Sequence, residues 1–178
     1  MSDIVGLGPH LKPAAERTSS PWLDATSEHV RPLIQRALKD IGLLELSPNR
    51  SPRIDSYNLA AGVPVGSYWC ASAAGAWLRE CGFPVPQGYA SCDNWMAWGK
   101  ATKRWSASPS LGALVLYGVP GDARHIGLVV RLTPAILSVE GNTTVEGSQF
   151  EPNGTAVALK KVGRPDSTLG YVVLLPVN

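Results

Sequence analysis

The hydrophobic pattern of this chain changes its period once, near Ser110, and this change limits the folds available to it. Before it, apolar residues recur at helical spacing, most clearly in a segment that begins near residues 29–31 and ends at Gly42. After it come five β-like runs separated by Gly, Pro, Asn or Asp: 111–117, 126–132, 135–139, 156–161 and 171–175. Helices followed by strands predict an α+β fold, with an antiparallel sheet packed on a buried helix.

The buried helix is predicted between Ser67, a suitable N-cap, and Glu80 or Cys81, with Gly82 as the terminator. Residues 70–78 are small or apolar on nearly every face, which is typical of a helix enclosed by other elements. A short helix is predicted over 93–98, and residues 47–66, rich in Pro and Gly, are interpreted as an irregular connection. Residues 1–25 are interpreted as a loose N-terminal arm, so that one domain spans 26–178.

Composition excludes several classes of partner. The net charge of the 178 residues is +2 and the basic residues do not cluster, so we expect no nucleic-acid partner. No apolar run approaches the roughly 18 residues of a membrane span. The N-terminal residues lack the basic and apolar regions of a signal peptide. We therefore expect synthesis in the cytoplasm and, for a role elsewhere, delivery by lysis or by specialised secretion.

Three cysteines are too few for a complete disulfide framework, and their spacing lacks the close pairs of a zinc site. We therefore expect no metal and no cofactor. Cys70 falls in the first turn of the buried helix, where unpaired N–H groups and the helix dipole favour a thiolate. Cys81 and Cys92 are interpreted as structural residues, and whether they pair with each other after export stays open.

A predicted hairpin brings a histidine and a carboxylate together. If the connection near 132–134 is tight, His125 faces Glu140 across the ladder, and the apolar residues of both strands sort to the opposite face. Asn142 then points to the same side as Glu140. A nucleophile at a helix start, an imidazole and an orienting carboxylate or amide form the general arrangement of a Cys-His-X catalytic site.

Four segments resemble the amidase/peptidase domains of the CHAP and NlpC/P60 superfamily. Segment 68–73, Tyr-Trp-Cys-Ala-Ser-Ala, is similar to the start of their central helix, and 124–129, Arg-His-Ile-Gly-Leu-Val, to their histidine motif. Segment 139–143, Val-Glu-Gly-Asn-Thr, is similar to their Glu-Gly-Asn motif, and 46–54 to a Pro- and Arg-containing stretch of small phage-type members.

The resemblance implies a papain-like α+β fold and hydrolysis of an amide bond in bacterial peptidoglycan. It assigns the nucleophile to Cys70, the general base to His125 and the orienting role to Glu140, with Asn142 as a helper. Arg124 departs from the family, whose members carry glycine before the histidine, and this departure bears on substrate access.

Substrate contacts are assigned to a small set of side chains. Tyr57 lies upstream of the nucleophile, where related enzymes place a tyrosine, and several tryptophans could line a groove for glycan or stem peptide. The candidates for substrate binding are Tyr57, Trp69, Trp95 and Arg124, with Trp98 and Trp105 as further aromatic candidates.

The preferred hypothesis is a cysteine amidase or endopeptidase that acts on peptidoglycan as a monomer. It would serve, in the periplasm or at the cell wall, as a phage endolysin or as a secreted antibacterial effector, the latter with an immunity protein as partner. Two alternatives stay open at this point. One is a catalytically silent wall-binding or virion-structural module that keeps the fold, and the other is an intracellular cysteine protease acting on proteins.

Overall fold

The computed structural model describes residues 25–144, 154–163 and 167–174. Within them, a 3-10 helix, Ala25–Val30, leads into four α-helices, and six strands form one antiparallel sheet of order β1-β6-β2-β3-β4-β5. The helices are α1 Arg31–Lys39, α2 Pro52–Ala60, α3 Cys70–Glu80 and α4 Cys92–Ala101. The strands are β1 Trp105–Ser106, β2 Leu114–Val119, β3 Asp122–Arg131, β4 Leu137–Thr143, β5 Ala156–Lys161 and β6 Thr168–Val172.

The predicted α+β fold is confirmed, and α3 is its central helix. All residues from Cys70 to Leu78 are buried, because α3 packs on β3 and β4 while α1 and α2 pack against it. Small residues make this close packing possible. A Cβ added at Gly75 would lie 2.0 Å from a ring carbon of Tyr89, so glycine is required where that ring crosses the helix.

Helix boundaries correct two sequence predictions. Residues 47–66 are not wholly irregular, because Ser51 caps α2 by accepting the N–H of Ile54 at 3.4 Å, with Pro52 in the first turn. Ser67 does not cap α3, since its hydroxyl donates to the Pro64 carbonyl instead. Trp69 occupies the N-cap position but makes no capping hydrogen bond with its side chain, so the first turn of α3 has no side-chain N-cap.

The register of the β3–β4 hairpin differs from the prediction by two residues. Gly127, not His125, lies opposite Glu140, because the strands separate at Arg131 and Leu137 around a connection of residues 132–136. A register shift between Val129 and Arg131 reduces the displacement from three residues beside the connection to two along the rest of the ladder. Because side chains alternate with a period of two, an even shift leaves His125 and Glu140 on one face, as diagonal neighbours.

Part of the predicted domain organisation lies outside the described residues. This applies to the N-terminal arm, 1–25, except for Ala25, which begins the 3-10 helix. In the described portion of the chain, no helix combines the length and the apolar character that crossing a bilayer requires.

Candidate active site

Cys70 is the first residue of α3 and lies almost entirely inside the protein, with 8% of its surface exposed. Its Sγ lies 3.9 Å from the Sγ of Cys92, and the ring of His125 acts electrostatically on the thiol. The contact with Cys92 lowers the pKa of the Cys70 thiol, burial opposes this, and His125 and the Ala71 N–H lower it further. The net result is a pKa well below the usual thiol range.

His125 lies between the thiol and a carboxylate. It is 2% exposed, and its Nε2 lies 3.0 Å from Oε2 of Glu140. Burial alone would lower the pKa of the imidazole, but hydrogen bonds and charge interactions with Cys70 and Glu140 raise it to about 10. The thiol and the ring therefore favour the thiolate–imidazolium form at neutral pH.

The second oxygen of Glu140 is held by two hydroxyl groups. Tyr117 donates to Oε1 at 2.9 Å and Ser138 donates to the same atom at 2.6 Å, while Oε2 faces His125. Burial would raise the pKa of Glu140, but His125 and the two hydroxyls lower it below the usual carboxyl value. The carboxylate is thus ionised and fixed in orientation although it lies in the interior.

Two glycines shape the space around this carboxylate. A Cβ added at Gly127 would lie 2.6 Å from Cγ of Glu140, so only glycine leaves room for that side chain across the ladder. On the opposite face of β4, a Cβ at Gly141 would lie 2.8 Å from the Trp69 ring and 3.1 Å from Cβ of Ala73. Gly141 therefore lets the start of α3 approach the strand that carries Glu140.

The N-terminus of α4 is anchored beside the same site. Asp93 accepts the backbone N–H of Ala123 at 2.8 Å, two residues before His125 on β3. Ser91 caps the helix by accepting the N–H of Asn94. These bonds place Cys92, the first residue of α4, next to Cys70.

Asn142 lies close to the predicted position but in an irregular backbone. It is 1% exposed and takes a left-handed conformation, with φ of 52°, where the pairing of β4 with β5 changes register. Regular alternation from Glu140 is interrupted there. The structure therefore places Asn142 inside the protein near the end of β4, and its role as a helper stays a prediction.

The predicted substrate-binding residues divide into buried and exposed ones. Tyr57, Trp69 and Trp95 are at most 1% exposed, and the indole N–H groups of the tryptophans donate to Glu45 and to the Tyr89 carbonyl. A side chain without accessible surface cannot line a groove, so these three are corrected to core residues. As large aromatic side chains they fill the core instead.

Arg124 stays exposed and is available to a substrate. About half of its side-chain surface is accessible, and its guanidinium is paired with Asp122 at 2.7 Å. It occupies an irregular position in β3, because the β2–β3 pairing shifts register between Tyr117 and Gly118. Its predicted part in substrate access stays a prediction.

Sequence reasoning missed three contributors to the site: Tyr117, Ser138 and Cys92. One left a usable signal, because Ser138 is two residues before Glu140 and shares its face. Tyr117 left none, since a tight turn at 120–121 would pair it with Arg124, and only the register shift between Tyr117 and Gly118 brings it opposite His125. Cys92 left none, because its approach to Cys70 depends on how α4 docks on β3.

The chemistry available here is nucleophilic. Across the described residues, no three or more His, Cys, Asp or Glu side chains are grouped as ligands for a metal ion. The described site instead offers a low-pKa thiol, an imidazole that exchanges a proton with it, and uncapped N–H groups at the start of α3. This set can form a covalent intermediate and stabilise a developing oxyanion.

Comparisons with known proteins agree with this fold. No protein-family model and no curated protein matches the sequence. A solved structure with a similar fold is that of the peptidoglycan hydrolase RipB from Mycobacterium tuberculosis, with a TM-score of 0.53 and 17% sequence identity. The match covers 87% of this chain and 70% of the RipB chain. At this identity the likeness shows the fold, which this chain shares with a peptidoglycan hydrolase.

Proposed function

We propose that this chain is a cysteine-dependent peptidoglycan hydrolase that cleaves an amide bond of the bacterial cell wall. The observation that carries the proposal is the buried arrangement in which His125 is hydrogen-bonded to Glu140 and acts electrostatically on the Cys70 thiol. A thiolate prepared inside a protein, at the uncapped start of a helix, is the arrangement expected of a nucleophile that attacks a carbonyl.

The proposed reaction follows from the geometry. With Nε2 of His125 bonded to Glu140, the proton exchanged with the thiol is assigned to Nδ1. The Cys70 sulfur attacks the amide carbonyl, and the N–H groups at the start of α3 receive the oxyanion. His125 then protonates the leaving amine as the C–N bond breaks, and water, deprotonated by His125, hydrolyses the thioester to release the acid.

Peptidoglycan is proposed as the substrate on two grounds. The four sequence segments resemble motifs of the CHAP and NlpC/P60 superfamily, and the fold is like that of the peptidoglycan hydrolase RipB. The bond is proposed to be either a stem-peptide amide or the muramoyl–alanine amide. Arg124, exposed one residue before the histidine, is a suitable partner for a substrate carboxylate.

The role in the organism is proposed as an endolysin or an antibacterial effector that reaches the wall after lysis or specialised secretion. A holin gene beside this one would favour the first, and an immunity gene would favour the second. A protein substrate or a silent wall-binding module would give different outcomes in the test below.

The proposal is tested by mass spectrometry of fragments released from purified peptidoglycan. Wild-type protein and Cys81→Ala, the matched control, should release the same fragments, whose new termini identify the bond. Cys70→Ala should release none. Fragments released equally by Cys70→Ala would refute the cysteine mechanism. If the protein bound peptidoglycan but released no fragments, the silent module would be supported. If it cleaved unfolded proteins but not peptidoglycan, the protease would be supported.

A further inference from the structure

The structure places a second thiol against the proposed nucleophile. The Sγ atoms of Cys70 and Cys92 lie 3.9 Å apart, in hydrogen-bond contact, and each residue is 8% exposed. Both are free thiols in the structure, as is Cys81 at the other end of α3. Of the three cysteines, these two therefore have their sulfur atoms in contact with each other.

The two sulfurs are held there by two helices with separate anchors. Cys70 begins α3, which packs on β3 and β4, and Cys92 begins α4, which is tied to β3 by the bond from the Ala123 N–H to Asp93. A disulfide needs a sulfur separation of about 2.05 Å, so the two atoms would have to approach by about 2 Å. Side-chain rotation at two first-turn positions is a movement of that size.

The two thiols differ in acidity in the direction that thiol–disulfide exchange requires. The pKa of Cys70 is lowered by its contact with Cys92 and by His125, whereas the contact with Cys70 and burial raise the pKa of Cys92. Cys70 is thus the thiol that attacks an oxidant, and Cys92 stays protonated until the second step of the exchange. The hydrolytic steps proposed above form no bond to Cys92, so its sulfur is available for this second chemistry.

We infer that Cys92 is the resolving thiol of a reversible disulfide with Cys70, which switches the enzyme off when a low-molecular-weight disulfide such as oxidised glutathione is present. The disulfide is inferred from the contact between the two sulfurs. Its consequence for activity rests on the proposed function, because a nucleophile bound in a disulfide cannot attack a carbonyl.

The exchange proceeds in two balanced steps. The Cys70 thiolate attacks one sulfur of oxidised glutathione, its S–S bond breaks, and one glutathione leaves as a thiolate that takes up a proton. Cys92 then loses its proton and attacks Cys70 Sγ, which releases the second glutathione as a thiol. In total, two cysteines are oxidised to one disulfide and one small disulfide is reduced to two thiols.

The experiment treats the reduced full chain with oxidised glutathione, alkylates the remaining thiols and measures the intact mass and the non-reduced peptide map. We expect one alkyl group per oxidised chain, on Cys81, and peptides of Cys70 and Cys92 joined to each other. Cell-wall hydrolysis should fall in proportion to the linked fraction and return after reduction with dithiothreitol.

Two variants make the assignment specific. Cys81→Ser, the matched control, should form the same linked peptide as the wild type. Cys92→Ser should instead retain glutathione on Cys70. Glutathione that stays on Cys70 of the wild type while Cys92 is alkylated, or a link that includes Cys81, would overturn the inference. A linked pair in a protein that never degrades peptidoglycan would uphold the disulfide and refute the proposed function.

Discussion

The two ends of α3 carry the same functional group in opposite settings. Cys70 begins the helix, where it contacts His125 and Cys92, and its pKa is well below the usual thiol range. Cys81 follows the last residue of the helix, and there burial raises the pKa of its thiol, with Arg36 opposing and Glu80 adding to the rise. Eleven residues along one helix thus separate a prepared nucleophile from an ordinary thiol.

Position at the start of a helix is therefore not sufficient to produce a reactive thiolate. The start of a helix favours negative charge by only about 0.3–1 kcal/mol at exposed sites and up to about 2 kcal/mol when partly buried. At Cys70, the neighbouring Cys92, His125 and Ala71 N–H lower the pKa of the thiol further. None of these three groups affects the pKa of Cys81, which lies at the negative end of the helix dipole.

The largest expected effect separates the two ends directly. Cys70→Ala should reduce cell-wall hydrolysis at least about a thousandfold, to the level of the blank, because no covalent intermediate can form. Cys81→Ala should keep activity within about twofold, since Cys81 touches no reacting group. Turbidity loss of a cell-wall suspension measures both. Equal losses in the two variants would remove the distinction between the ends of α3.

Removal of the imidazole should have the next largest effect. His125→Ala should lower the rate by about 10²–10⁴-fold, because proton transfer to and from the reacting groups is lost. It should also raise the pKa of Cys70, since the hydrogen bond and the charge that lower it disappear. Single-turnover hydrolysis measures the first and alkylation against pH the second, with a thermal melt to establish folding. An unchanged alkylation profile would show that His125 does not act on the thiol.

A smaller loss is expected when the carboxylate is neutralised. Glu140→Gln keeps the shape of the side chain but removes the charge that stabilises the imidazolium, so the rate should fall between about tenfold and a hundredfold. The pKa of His125 should also fall, and NMR of the ring measures it. A variant with the wild-type rate and an unshifted imidazole would remove Glu140 from the relay.

The smallest expected effect concerns the two hydroxyls on Glu140. A hydrogen bond to a charged group contributes about 1.5–3 kcal/mol to stability, and the second hydroxyl remains when one is removed. Tyr117→Phe and Ser138→Ala should therefore each reduce the rate by no more than about tenfold, with a larger loss in the double variant. A double variant as active as either single one would show that they do not act together through Glu140.

Some features of the site can be predicted from local patterns in the sequence. The face shared by His125 and Glu140 could be predicted, because alternation along strands is local and survives an even error in register. The register itself depends on the length of the connection at 132–136 and on the shift near Val129, which the apolar pattern does not reveal. The α+β class followed from the change of period, and β5 was predicted at its observed bounds, 156–161.

Other parts depended on tertiary contacts that no local pattern carries. Tyr57, Trp69 and Trp95 were expected near substrate, but the packing of α2, α3 and α4 encloses them. The contact between Cys70 and Cys92 requires two helix starts, 22 residues apart, to meet beside β3. Helix α2 was missed despite a local signal, the Ser51 cap followed by proline, because Pro and Gly dominated the surrounding segment.

The most direct test of the central claim compares the alkylation rates of Cys70 and Cys81 in one sample as pH is varied. A thiolate reacts above the pKa of its thiol, and the ion pair persists below the pKa of His125, about 10. Peptide mass spectrometry should show Cys70 reacting rapidly well below the usual thiol range, with Cys81 reacting only above it. If the two cysteines reacted along the same pH curve, Cys70 would not be the prepared nucleophile that the proposed hydrolysis requires.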